Sequence, residues 1–240
     1  MTGPPGPAVL LVQVRDHAAA ERQEAECFSR ALSISPEDLE THSVARQPRL
    51  DWGRVKDFDL LLIGGAGEHS VTREYEFSPF LDEVLARWIE DGRPFFGSCY
   101  GHHVLGRLFG GAVIEDPASE EIGTFEIDLT AAGREDPLFS GLPPTFLAQL
   151  GHHDRVSALP ANLIELARSK LCTNQALKVV GKPAYSTQFH PEMGVAEMRR
   201  RLLMYRDGYL DSETADGLLG SLRSSPETGR ILTRFLELYF

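Results

Sequence analysis

Pro94-Phe95-Phe96-Gly97-Ser98-Cys99-Tyr100-Gly101-His102-His103 is the stretch on which the reading of this chain turns. An apolar run meets a Cys that has a Gly two residues away on each side. Beyond it Val104, Leu105, Leu108 and Phe109 recur at helical spacing as far as Gly110-Gly111. The pattern is strand, sharp turn, helix. A nucleophile at such a turn sits on strained backbone, and the residues two before and two after it must be small where the chain segments crowd. Gly97 and Gly101 meet that requirement. The helix that follows aims its N-terminal amides at the sulfur, which favours a thiolate. Cys99 is thus a candidate nucleophile, with a buried strand-end Cys as the plainer alternative.

On the N-terminal side, Ala8 to Val14 is an apolar run broken only by Gln13, as in a strand buried on both faces of a parallel sheet. His17 to Ser33 is charged but carries Ala20, Cys27, Phe28, Ala31 and Leu32 at a helical period, and Ser35-Pro36 ends it. Leu39 to Val44 is a weak strand and Asp59 to Ile63 a strong one. Ser78-Pro79 opens a helix that closes at Asp91-Gly92. Strands alternating with helices predict a doubly wound α/β fold. On the C-terminal side, Gly111 to Glu115, Ile122 to Thr130, Phe146 to Leu150, Leu163 to Ser169, Ala176 to Val180 and Ala184 to Phe189 are short strand-like segments. A small antiparallel addition is expected between Ile122 and Val180. Three amphipathic stretches, Ala196 to Tyr209, Thr214 to Arg223 and Pro226 to Phe240, end the chain. Arg199, Arg200, Arg201 and Arg206 give the first of them a basic face, read as a solvated one.

The chain has 240 residues, 42% of them hydrophobic, enough for one sizeable core. With 24 Lys and Arg against 35 Asp and Glu, its formal charge of −11 disfavours nucleic acid and anionic membrane as partners. No apolar run is long enough to span a bilayer, and Met1-Thr2-Gly3-Pro4-Pro5-Gly6-Pro7 is not a secretory signal, so a cytoplasmic protein is expected. Cys27, Cys99 and Cys172 are odd in number and irregularly spaced, against a disulfide framework or a structural zinc site.

A Cys nucleophile needs a base. Ser186-Thr187-Gln188-Phe189-His190-Pro191-Glu192 offers His190 directly after an apolar segment and Glu192 two residues on, able to take the thiol proton and to orient the imidazole respectively. Taken together, Gly97-Ser98-Cys99-Tyr100-Gly101-His102-His103 and Gln188-Phe189-His190-Pro191-Glu192 resemble the signature pair of class I glutamine amidotransferases. The resemblance implies a Cys99, His190, Glu192 triad, a flavodoxin-like, mostly parallel sheet with helices on both faces, and hydrolysis of the glutamine side-chain amide through a γ-glutamyl thioester. Leu62-Ile63-Gly64-Gly65-Ala66-Gly67 is similar to the family's Gly-Gly-Pro loop and implies oxyanion donors at the amides of Gly65 and Tyr100, with Ala66 in place of the usual Pro. Gly151-His152-His153-Asp154-Arg155-Val156 is similar to a segment of the GMP synthetase kind, which implies that backbone around Gly151 and His152 holds the substrate's α-amino and α-carboxylate ends.

The matches run from about Val9 to Glu192, so residues 1–194 read as the amidotransferase-like domain and 195–240 as a helical extension packed on it. His103 stands where the family has a substrate-binding Gln; as a substrate contact of different size it admits another γ-glutamyl compound. His102, His103, His152, His153 and Asp154 are acceptable metal ligands by type, but neighbours in sequence point in different directions, and no metal or cofactor is expected. Met193, Trp52, Trp88 and Cys172 are assigned to packing. The chain has no P-loop and no residues left for a synthetase. Ammonia therefore passes to a separate synthetase partner, or the protein is a stand-alone γ-glutamyl peptidase or hydrolase. A non-catalytic regulatory module is the third reading.

Overall fold

The structure is a computed structural model that describes residues 6–209 and 212–240, with the side chains of residues 206–215 left aside. The start of the chain up to Pro5, and the side chain of Arg206, lie outside the described residues. Five strands form the parallel half of one sheet: β1 (Val9–Val14), β2 (Leu39–Ser43), β3 (Leu60–Ala66), β4 (Phe95–Ser98) and β11 (Ala184–Thr187), in the order β2-β1-β3-β4-β11. Every residue of β1, β4 and β11 is buried, because helices cover both faces. Alternate residues of β1 serve the two layers. Leu10 and Val12 join Leu61, Ile63 and Phe95 under α3 (Ser78–Glu90) and α4 (Tyr100–Leu108). Val9 and Leu11 join Leu60, Leu62 and Phe96 on the other face, under α1 (Ala18–Leu32) and α8 (Ile231–Tyr239).

The antiparallel addition falls in the expected region and continues the same sheet. Beyond β11 come β10 (Ala176–Val179), β9 (Leu163–Arg168), β6 (Glu121–Leu129) and β7 (Thr145–His152), all antiparallel to their neighbours, giving nine strands. A separate ribbon pairs β5 (Ala112–Glu115) with β8 (Asp154–Ala158). Three elements escape a reading by periodicity. Helix α2 (Trp52–Val55) and helix α5 (Ala131–Glu135) are too short for an amphipathic repeat and rest on caps, Asp51 accepting from the Gly53 amide and Thr130 from that of Gly133. Strand β8 follows β7 with one residue between them, and its identity comes from pairing with β5 rather than from composition.

The C-terminal helices α6 (Val195–Tyr209), α7 (Ser212–Ser221) and α8 pack back on the sheet. Phe235 of α8 meets Phe96 and Tyr185 edge-on, with ring centroids 5.7 and 6.0 Å apart. The solvated basic face expected on α6 holds for Arg199 and Arg200, which are exposed, but not for Arg201. Arg201 is 7% exposed and its Nε donates to Gln23 Oε1 at 2.6 Å, because α6 lies against the polar side of α1. Arg200 pairs with Glu26 and Arg199 donates to the Leu219 carbonyl. No helix among the described residues is long and apolar enough to cross a membrane.

Candidate active site

Three parallel strands end at one place. Cys99 follows β4, Gly65 lies at the end of β3, and His190 follows β11, so the topology gathers them at the carboxyl edge of the sheet. Cys99 has φ 53° and ψ −96°, a conformation that L-residues rarely adopt. Its amide donates to the Thr187 carbonyl at 2.8 Å, and its carbonyl accepts from His102 and His103 in the first turn of α4. The two flanking glycines are explained by contact. A Cβ on Gly97 would lie 2.6 Å from the Gly101 carbonyl carbon, and one on Gly101 only 2.4 Å from the Ile63 oxygen.

The imidazole of His190 lies within electrostatic reach of the Cys99 thiol, and its Nδ1 is 2.7 Å from Glu192 Oε1. Structure thus brings the three sequence-predicted residues into one chain of contacts. Burial opposes charge on His190, but the Glu192 carboxylate and the thiol outweigh it and raise the pKa from 6.5 to about 9. Glu192 is held below the ordinary carboxylate range against its own burial, chiefly by His190. Ser98, which sequence reading passed over, donates to Glu192 Oε2 at 3.0 Å. The signal was present, since the residue before the elbow Cys alternates onto the side of the sheet where the next strand ends.

A folded-state pKa above the unfolded one means that the proton on His190 contributes stability that is present at about pH 6.5 and is lost as pH rises through about 9. Wild type is therefore expected to lose more thermal stability between about pH 6 and about pH 9.5 than His190→Gln, which has no such proton to release. Parallel melting curves over that range are the measurement.

His103 is buried on the wall of the cavity that Cys99 opens onto, a space of 540 Å³ also lined by Tyr100, Gly151 and Asp154. Its Nε2 donates to Gln188 Oε1 at 2.7 Å, which turns the Gln188 amide nitrogen toward Cys99 Sγ, 3.9 Å away. Burial lowers the His103 pKa to about 4 and that of His102 well below 6.5, so both rings are neutral at pH 7. They diverge, as neighbours in a helix must, with His102 paired to Ser186 Oγ.

Gly151 presents its carbonyl oxygen 3.8 Å from Cys99 Sγ. The ring of His152 points away into a buried network, Nδ1 against the Asp154 carbonyl and Nε2 against Glu121 Oε2, which also accepts from Gln175. Cys172 belongs to that network rather than to plain packing: its sulfur, the His152 ring and a Glu121 oxygen lie within 4.8 Å of one another. Burial, with Glu121 nearby, pushes the Cys172 thiol up to about 12, so it is a protonated member. Cys27, expected as a core residue, is buried and likewise pushed up to about 12 by burial, with Glu192 adding to the shift.

The two expected oxyanion donors have different surroundings. Tyr100 is the first residue of α4, and its amide is one of the first-turn donors without an intrahelical acceptor. The Gly65 amide already has an acceptor in the structure. It donates to Glu24 Oε1 at 3.0 Å, and the same oxygen is gripped by Arg15 Nε at 2.8 Å, both side chains being buried. Arg15, just after β1, and Glu24 of α1, neither marked by the sequence pattern, thus claim that donor. What Gly65 provides is clearance, since a Cβ there would lie 2.6 Å from Arg15 Nη2 and 3.1 Å from His190 Cε1.

Comparison with known proteins places this geometry in context. Solved structures of similar fold include a glutamine amidotransferase from Thermotoga maritima, with TM-score 0.74 and 20% identity over 97% of this chain and 98% of that one. Another is a glutamine amidotransferase from Methylobacillus flagellatus, with TM-score 0.75 and 18% identity over 98% and 96%. Among curated sequences, one of the subunits of glutamine-hydrolysing GMP synthase from Pyrococcus abyssi is 35% identical over 116 residues, covering 48% of this chain and 60% of that protein. The Archaeoglobus fulgidus counterpart is 31% identical over 140 residues, covering 58% and 69%. The matches span 52% to 69% of the length of the curated relatives. The model of the family "Glutamine amidotransferase class-I" matches residues 37–206, a span that takes in the elbow, the His-Pro-Glu segment and most of α6, and the chain belongs to that family.

Proposed function

We propose that this chain is a Cys-His-Glu amide hydrolase that opens the side-chain amide of glutamine, or of a related γ-glutamyl compound, through a thioester on Cys99. The observation that supports it most is the continuous contact from Cys99 through His190 to Glu192 at a strained elbow. His190 takes the thiol proton, Sγ attacks the amide carbon, and the imidazolium returns the proton to the leaving nitrogen. Water then enters with its proton passing to His190, and glutamate leaves. The Tyr100 amide faces the developing oxyanion, and backbone at Gly151 and His152 grips the amino-acid end. The curated relatives are named as parts of a glutamine-hydrolysing synthase, which supports a separate synthetase as the acceptor of ammonia.

A glutamine-analogue electrophile, such as a diazo- or chloroketone, is expected to label Cys99 and to stop glutamate release in proportion. Purified protein that neither takes the label nor releases glutamate from glutamine or γ-glutamyl dipeptides, alone or with a candidate synthetase, would favour a non-catalytic module instead.

A further inference from the structure

The acid that protonates a departing nitrogen must stand beside it, so whatever leaves with that nitrogen needs room on the imidazole side of the thiol. Two cavities meet along Ala66, Gly67 and Gly151. Cys99 opens onto the one of 540 Å³, whereas His190 opens onto a second of 180 Å³. Ammonia requires no cavity of that size. The second space is walled by Met193, Met198 and Leu202, all buried, together with Arg15 and Arg201. Those two cations differ. Arg15 is neutralised by Glu24. Arg201 has the neutral Gln23 on its Nε, and among the described residues no carboxylate pairs with it and its Nη2, itself buried, has no hydrogen-bond partner. A guanidinium 7% exposed with an unfilled donor is costly unless an anion completes it, and a carboxylate is its best geometric match. Burial, reinforced by Arg15 and partly offset by Glu24, lowers the Arg201 pKa to about 10, which still leaves it charged at pH 7.

We propose that the cavity beside His190 is a leaving-group site for an apolar α-amino acid whose carboxylate is held by Arg201, so that the chain acts on γ-glutamyl amino acids. This rests on the Cys99–His190 reading above and specifies the substrate for it. The glutamyl half lies in the larger cavity. Attack forms the S–C bond, the C–N bond breaks, and the His190 proton completes the free amine of the departing amino acid. Water then forms the new C–O bond as C–S breaks, and the thiol recovers its proton.

The test compares glutamate release from γ-glutamyl-leucine, γ-glutamyl-leucinamide and glutamine by the full chain. The acid is expected to exceed its neutral amide by about tenfold or more in kcat/KM, mainly through KM, as the loss of one charged hydrogen-bonded contact predicts, and to exceed glutamine. Arg201→Met should bring the acid-to-amide ratio close to one, with Arg201→Lys in between. Equal use of acid and amide by wild type overturns the proposal without any variant, so a misfolded Arg201→Met does not leave it undecided. Hydrolysis of glutamine with no preference for the acid sinks this inference alone; release of glutamate from none of the three, with Cys99 unlabelled by electrophile, sinks the underlying mechanism.

Discussion

Cys99→Ala is expected to abolish glutamate release, by on the order of 10⁴-fold or more, in a chain that remains folded. Removing the sulfur removes the only atom that forms the covalent intermediate, and His190 and Glu192 cannot substitute, because their contribution passes through it. The same position carries a second, opposite effect. At φ 53° and ψ −96° the Cβ of any L-residue is strained, so Ala keeps the strain while Gly releases it. Cys99→Gly should therefore be equally inactive yet more stable than Cys99→Ala by about 1 kcal/mol, a difference of about 2–4 °C in melting temperature. Glutamate assays and melting curves of the two variants check both halves. An Ala variant with more than a few per cent of wild-type activity would refute the covalent route, and a Gly variant less stable than Ala would refute the strain.

Gly101→Ala is expected to be the most damaging one-carbon change in the elbow. Its Cβ would lie 2.4 Å from the Ile63 carbonyl oxygen and 2.9 Å from the Ile63 Cβ, so α4 must move off β3 or Ile63 must leave its ladder. Neither is a flexible side-chain tip. A cost of about 3 kcal/mol follows from overpacking of this kind, which lowers the melting temperature by about 6–12 °C. Because displacement of α4 also shifts the Cys99 sulfur and the Tyr100 amide, activity should fall by about 100-fold or more in the fraction that stays folded. Gly141→Ala, where nothing lies within 4 Å, is the control and should be near neutral.

The elbow, the His-Pro-Glu segment and the alternation of strand and helix were legible because each is local. Apolar runs report burial on both faces, and Gly97 and Gly101 report crowding close to the nucleophile in sequence. What escaped depends on contacts distant in sequence. Glu24 claims the Gly65 amide from 41 residues away, and nothing in the spacing of α1 distinguishes that carboxylate from the exposed Glu26 beside it. Arg201 looked like a surface cation because an arginine-rich helix reads as polar, yet its partner Gln23 lies 178 residues earlier. The bond from His103 to Gln188 was beyond reach for the same reason. Strand β8 needed its partner β5 to be visible at all.

The pairing of β4 with β11 sets Ser98 opposite Thr187, and the Cys99 amide extends that ladder by one more bond to the Thr187 carbonyl. Nucleophile and base therefore follow adjacent buried strands, Cys99 directly and His190 three residues past β11, where its amide is tied to the Gln149 carbonyl of β7 at 2.9 Å, so their spacing is set by the sheet. Local openings near the surface, which cost little, leave that spacing intact; only an opening comparable to global unfolding can part the two groups. The walls of both cavities are of another kind, built from α6, the β3–α3 connection and the β7–β8 turn. Chemistry and selectivity are thus carried by layers of different local stability, so substitutions can remodel what the protein accepts while the reacting pair keeps its distance.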